Sequence, residues 1–324
     1  MRAVVCSSLD GPGSLTVGET VDPRPAPDQV LVEVRAASIN FPDVLMVRGL
    51  YQVKPPLPFS PGAEIAGVVR EVGANVKHVQ AGDSVIGFPG HGGFAQLCVV
   101  DGARVAPLPP GMGFDVGAAM GLTYGTALHA LRDCGRLAEG ETLAVLGAAG
   151  GTGIAAIECG KVLGARVIAC ASSEEKLALC REHGADETVN YATEDLRGRL
   201  DALTEKRGVD VVFDAVGGGY AEPALRATAW HGRFLVIGFA AGEIPKIALN
   251  LALLKERSIV GVYWGDWTRR DPKGNARNVM DLVKWSAEGR IRPAITERIG
   301  LDAVPDAIAR LGRREARGKI VVLP

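Results

Sequence analysis

Two rhythms of hydrophobic and polar positions divide the chain. In residues 1–122 the apolar segments are short, β-branched and partly alternating: VLVEVRAASI (30–39), EIAGVVREVG (64–73), DSVIGF (83–88) and GFAQLCVV (93–100). Alternation of this kind suits strands with one buried face. Gly and Pro punctuate them, most densely in KPPLPFSPG at 54–62, which marks loops. The expectation is a compact antiparallel, barrel-like domain with long loops.

From residue 123 the apolar runs become nearly continuous: LAVLGA (143–148), RVIACA (166–171), VDVVFDAV (209–216), RFLVIGF (233–239) and SIVGVYW (258–264). Such runs suit strands buried on both faces. Helical stretches at 151–163, 173–183, 193–206, 220–229 and about 248–256 separate them. Strand alternating with helix predicts an α/β fold with a doubly wound, Rossmann-like parallel sheet, whose ligand sits at the carboxyl ends of the strands. After 265 the polar stretch DWTRRDPKGN reads as a loop. A helix at about 275–289, a strand, a short helix and a closing strand GKIVVL (318–323) follow. The expected domains are therefore 1–122, 123–264, and a return of 265–324 to the first.

Composition changes this picture in one respect. Among 324 residues there are 42 glycines, about twice the usual ~7%. No collagen-like period explains them, so tight turns or close backbone–ligand approaches are expected. The charges balance, 36 basic against 37 acidic, which argues against specific nucleic-acid binding. No apolar run approaches the ~18 residues of a membrane span. The six cysteines are dispersed without a CxxC pair and the five histidines without an HExxH. Reduced thiols, a cytoplasmic location and no metal are the expectations.

The strongest chemical signal is LAVLGAAGGTGIAAIECGK at 143–161, where an apolar strand runs into GAAGGTG and then a helix. Ala149, Gly150, Gly151, Thr152 and Gly153 would present backbone amides and a helix N-terminus to a pyrophosphate. The strict GxGxxG spacing is not met, because Ala148 stands at its first glycine. A steric strand–helix turn or a methyltransferase-like site would carry a similar loop. A second signal lies at the next strand end, ACASSEEKL (169–177), where Ser172 stands in place of the acid that usually binds an NAD ribose. Ser172, Ser173 and Lys176 suit a 2′-phosphate, so NADPH is the expected cofactor. Ser173 also reads as an N-cap, with Glu174 and Glu175 as first-turn acids. That accounts for the glutamates but not for the missing acid.

The segments AASINFPDVLMVRGLY (36–51), PGAEIAGVVREVG (61–73), GGFAQLCVV (92–100), GLTYGTALHAL (121–131) and GAAGGTG resemble, in order, the zinc-independent medium-chain dehydrogenases/reductases of the quinone oxidoreductase group. The glycine-loop signature departs from the family's at Ala144 and Glu158. The resemblance implies a GroES-like β-barrel catalytic domain beside the Rossmann-like one. Asn40 and Ala63 stand where zinc-dependent relatives carry Cys and His. Tyr51 resembles the tyrosine placed over the reacting carbon in enoyl-thioester reductases, and Asn40 the asparagine beside the nicotinamide; both are expected to be catalytic, Tyr51 or Asn40 stabilising and then protonating an enolate. Asp43 matches an acidic residue of that loop. Thr123 resembles a nicotinamide-ribose contact, Tyr191 a tyrosine flanking the adenosine phosphate, Phe239 a lining of the nicotinamide pocket, and Lys319 a basic residue reaching NADP.

The expected activity is hydride transfer from NADPH to a small-molecule acceptor. A quinone comes first, with an enone or enoyl thioester as runner-up. An NADPH-binding, crystallin-like protein with little turnover is the alternative from another class. A homodimer through 258–264 is also expected, from an apolar edge strand that needs cover.

Overall fold

The computed structural model describes residues 1–324 and divides them into two compact units, Met1–Gly121 with Ala294–Pro324, and Leu122–Pro293. Residues 265–293, expected to return to the first domain, are thus part of the second. The reason is helical. DWTRRDPKGN is not a loop but the body of helix Trp264–Arg270 and the start of helix Pro272–Ala287. Asp266 pairs with Arg269 and Arg270 on the first. Asp271 accepts the Gly274 N–H at 2.9 Å and Pro272 opens the second, so one acid and one proline both end and begin a helix.

In the first unit, strand Gln29–Ser38 is the spine of a seven-stranded sheet. Ile65–Val72 pairs along one side of it, antiparallel. On the other side Leu97–Asp101 takes its first half and Lys319–Val322 its second. Val30, Val32, Val34, Ile65, Phe94 and Val322 face one core. A short antiparallel pair, Arg2–Cys6 with Leu15–Glu19, stands apart.

In the second unit six strands run parallel in the order Glu187–Asn190, Arg166–Ala171, Thr142–Leu146, Val209–Asp214, Thr228–Val236, Ser258–Gly261. Numbered by sequence this is 3-2-1-4-5-6, the doubly wound order with its switch point between the first and fourth strands. Thr142–Leu146 is buried at every position and Arg166–Ala171 at all but its first, as their unbroken apolar runs require. Ser258–Gly261 differs: it is the sheet edge, largely exposed, with Ile259 40% accessible.

One long element escapes the hydrophobic pattern. Helix Phe114–Leu128 carries glycines at 117, 121 and 125, which lower helix propensity. A Cβ at each would collide with Leu108, Phe88 and Trp264 in turn. The glycines are there for close packing. The helix continues as a π-helical turn, His129–Cys134.

Candidate active site

Of the expected cofactor residues, Ala149–Gly153, Ser172, Ser173, Lys176, Tyr191 and Phe239 follow the carboxyl ends of the parallel strands. Thr142–Leu146 leads through Gly147, at φ +69°, into helix Gly151–Val162. A Cβ on Gly153 would strike the carbonyl oxygens of Gly147 and Ala148. Only glycine lets the helix start this close beneath the turn, and the first-turn amides of Gly151, Thr152 and Gly153 have no acceptor within their own helix. After Arg166–Ala171, Ser173 Oγ accepts the Lys176 N–H at 3.3 Å as an N-cap. The Lys176 ammonium turns back to Ser172 Oγ at 3.2 Å. The helix start therefore holds a cation beside two hydroxyls, with no carboxylate at 172.

Tyr191 follows the third strand and packs on Tyr220, ring centroids 4.3 Å apart. Phe239 lies three residues beyond strand Thr228–Val236 and against Gly217, where a Cβ would meet its ring. Gly217 and Val216 donate N–H groups to buried Asp214, at 2.9 and 2.8 Å. Burial raises that carboxyl above its ordinary value. Thr123 is buried within helix Phe114–Leu128.

The first unit gathers a different set. Val321 pairs with Ser38 and Val322 with Ala37, antiparallel. Extended by two residues, that register sets Lys319 opposite Asn40. Ile65 pairs with Ala37, which sets Glu64 beside Ser38. The result is a buried polar cluster. Lys319 Nζ donates to Asn40 Oδ1 at 2.7 Å and to the Ile39 carbonyl at 3.4 Å, and lies 3.9 Å from Glu64 Oε2. Asn40 Nδ2 donates to Ser38 O and Oγ, each at 3.1 Å, and to Glu64 Oε2 at 3.4 Å. Asp43 accepts the Asn40 N–H at 2.8 Å and the Gly62 N–H at 3.0 Å. Burial drives the Asp43 carboxyl up to about 6 against those two bonds and the Lys319 charge. Burial pulls the Lys319 ammonium down, against the charges of Glu64 and Asp43. Tyr51 is half-buried and packs against the core of this unit.

Residues 26–110 match the alcohol dehydrogenase GroES-like domain, and residues 151–285 the zinc-binding dehydrogenase family. Over 323 residues the chain is 40% identical to quinone oxidoreductase-like protein 2 of Bos taurus, covering 99% of this chain and 92% of that one. The chain belongs to the quinone oxidoreductase group of the medium-chain dehydrogenases/reductases. As a member of that group it is an oxidoreductase. Its structure is similar to that of Escherichia coli quinone oxidoreductase complexed with NADPH, at TM-score 0.92 and 27% identity over 100% of both chains. It is also similar to CurK enoyl reductase, at TM-score 0.87 and 25% identity over 99% of this chain and 98% of that one.

One family model carries zinc in its name, but the donors of this quinone oxidoreductase relative do not fit that metal. Zinc takes three or four Cys, His or carboxylate ligands. No three such side chains come together in the chain. At the loop of Asn40 the amide oxygen is already turned to an ammonium ion. Two expectations are redrawn by the same contacts. Lys319, read as reaching NADP, is 3% exposed and directs its charge at Asn40 and Glu64. Asn40, read as a donor beside the nicotinamide, has acceptors for both amide hydrogens within its own unit. Glu64 and Ser38 were not singled out from the sequence. The available signal was an acid inside the apolar stretch PGAEIAGVV, where an unpaired charge would be costly.

Proposed function

We propose that the chain is an NADPH-dependent, zinc-independent reductase that passes a hydride to a quinone. The observation that carries the cofactor is the end of the second parallel strand, where Ser172 replaces a carboxylate and the Lys176 ammonium stands 3.2 Å from its hydroxyl. A 2′-phosphate gains charge-assisted hydrogen bonds there, and a carboxylate would repel it. NADPH, when bound, supplies the hydride. Gly151, Thr152 and Gly153 would hold its pyrophosphate by backbone amides, with Ala149 and Gly150 shaping the turn. Ser172, Ser173 and Lys176 would hold the 2′-phosphate. Tyr191 would flank the adenosine phosphate, Thr123 would touch the nicotinamide ribose, and Phe239 would line the nicotinamide pocket.

Reduction places negative charge on the acceptor's oxygen. With no metal, that charge has to be met by hydrogen-bond donors. In this reading Tyr51 donates to the oxygen. Asn40, with its amide already engaged, positions the loop through Ser38, Glu64 and Lys319. The acceptor is a quinone by likeness to the relatives. The likeness to an enoyl reductase supports a second reading, reduction of an enone or enoyl thioester, where the phenol would stabilise an enolate oxygen. The exposed edge strand Ser258–Gly261 supports a homodimer. No helix is long and apolar enough to cross a membrane, and the dispersed cysteines fit the cytoplasm.

The test is NADPH oxidation, followed by absorbance, with 1,4-benzoquinone, a simple enone and a crotonyl thioester. Fastest turnover on the quinone is the expected result. Preference for the thioester favours the second reading. Tight NADPH binding without acceptor-dependent oxidation marks a binding protein of the crystallin kind and overturns both.

A further inference from the structure

Five of the six cysteines are buried; Cys134 is partly buried. It ends the π-helical turn His129–Cys134, where the Gly135 N–H reaches back five residues to the Ala130 carbonyl at 2.7 Å. In an α-helix, residues five apart point to different sides. The wider π turn brings them together. Here it sets His129 Nε2 3.4 Å from Cys134 Sγ, while His129 Nδ1 lies 3.1 Å from Asp133 Oδ2.

The three side chains are fixed from outside. Helix Pro272–Ala287 supplies Asn278, whose Nδ2 donates to Asp133 Oδ2 at 2.8 Å, and Arg277, which reaches Asp133 Oδ1 at 3.1 Å. Arg132 donates to Asn278 Oδ1 at 3.0 Å and to Asp281 at 2.7 Å, which fixes the sense of the Asn278 amide. Helix Trp264–Arg270 stacks Trp267 on the imidazole, centroids 3.9 Å apart and planes 20° apart. Thiol, imidazole and carboxylate thus stand in the relation of nucleophile, base and orienting acid. They lie outside the residues given to NADPH or to the acceptor oxygen.

We propose that Cys134 is a nucleophilic thiol, with His129 as its base and Asp133 orienting that base, and that it adds covalently to a quinone. The choice of electrophile rests on the quinone reading above. Burial and the Asp133 carboxylate hold the thiol above its ordinary pKa. The resting group is therefore SH, and its proton must leave as the new bond forms. The sulfur lone pair forms the C–S bond at a ring carbon, and the S–H proton passes to His129 Nε2. The displaced ring electrons move to a carbonyl oxygen, which takes the proton from the imidazolium. Transfer of the ring C–H proton to the second oxygen leaves a hydroquinone thioether. The two electrons that reduce the ring come from sulfur, so no other reductant enters.

The full chain, without NADPH, is treated with 1,4-benzoquinone and examined by intact mass and peptide mapping. One adduct at Cys134, absent from Cys134→Ser, is expected. Iodoacetamide tests the thiol independently of the electrophile class. Native Cys134 should react at least ~10-fold faster than the same thiol in the unfolded chain; general-base assistance supplies about 10²–10⁴-fold, and the burial that raises the thiol pKa takes back part of it. His129→Gln should remove that excess, and Asp133→Asn should lower it. A native thiol no faster than the unfolded one overturns the proposal whether or not the variants fold. A reactive thiol that takes no quinone overturns the assignment of the electrophile. Quinone reduction by Cys134→Ser reports separately on the reductase reading.

Discussion

Replacing Lys319 with Met removes a buried positive charge and keeps most of the side-chain length. The ammonium has three partners in the wild type: Asn40 Oδ1 at 2.7 Å, the Ile39 carbonyl at 3.4 Å and Glu64 Oε2 at 3.9 Å. Glu64 and Asp43 are fully buried, each 0% exposed, and would lose the cation that faces them. Removing one partner of such a group costs about 3–5 kcal/mol. The loss should depend on pH. The Asp43 pKa is raised from 3.8 to about 6, a difference worth about 3 kcal/mol. A carboxyl whose pKa is raised on folding stabilises the fold as pH falls through about 6 and loses that contribution as pH rises. Without the Lys319 charge the Asp43 pKa climbs further, so the variant suffers most above neutrality. At low pH the wild type holds an ammonium facing a neutral Asp43, which narrows the gap again. Hydrogen exchange of strand Gln29–Ser38 measures this locally, with Thr142–Leu146 as reference. At pH 8 the protection of the first strand should fall on the order of 10²–10⁴-fold, the equivalent of that energy. At pH 5 the fall should be clearly smaller. A loss below about tenfold, equal at both pH values, would refute the idea that Lys319 balances the two acids.

Lys176→Ala should weaken NADPH by about 1.5–3 kcal/mol while leaving NADH nearly unchanged, measured as dissociation constants; equal cofactor affinities in the parent would sink the 2′-phosphate assignment. Tyr51→Phe should lower turnover by about 10²-fold on an enone with NADPH affinity intact, and less on a quinone, itself a good electron sink. Dialysis against a chelator should leave activity unchanged; stoichiometric zinc lost together with activity would overturn metal independence. Ile259→Lys on the exposed edge strand should shift a dimer to monomer by light scattering, and an unchanged mass would place any contact elsewhere.

The parallel sheet was readable because its strands are buried on both faces. Runs such as LAVLGA, too short for a helix and followed by a glycine turn, suit a strand buried on both faces, and their spacing gave the order of strand and helix. The glycine turn between strand Thr142–Leu146 and helix Gly151–Val162 was readable for the same reason, since it follows an unbroken apolar strand. Helix Phe114–Leu128 was not readable, because its glycines serve side chains distant in sequence, Phe88 and Trp264 among them. The Trp264–Arg270 helix was hidden by its charge, as its acid and arginines pair with each other along the helix. The cluster at Lys319 was least readable of all. Lys319 and Asn40 are 279 residues apart, and only strand register brings them together. A lysine before an apolar run reads as a surface residue until its pairing is known.

The late counter-charge of the Asn40 loop also predicts an order of events during synthesis. The second unit is one uninterrupted stretch, Leu122–Pro293, whereas the first is assembled from both sides of it. Asp43 and Glu64 are made early, and their counter-charge belongs to one of the last strands, Lys319–Val322. A growing chain can complete the second unit while the amino-terminal portion still lacks two strands, Ile295–Ile299 and Lys319–Val322, and a cation. The usual sequence, in which the amino-terminal domain matures first, would then be reversed. A nascent chain arrested before Lys319 should carry a folded, protease-resistant middle flanked by a digestible beginning.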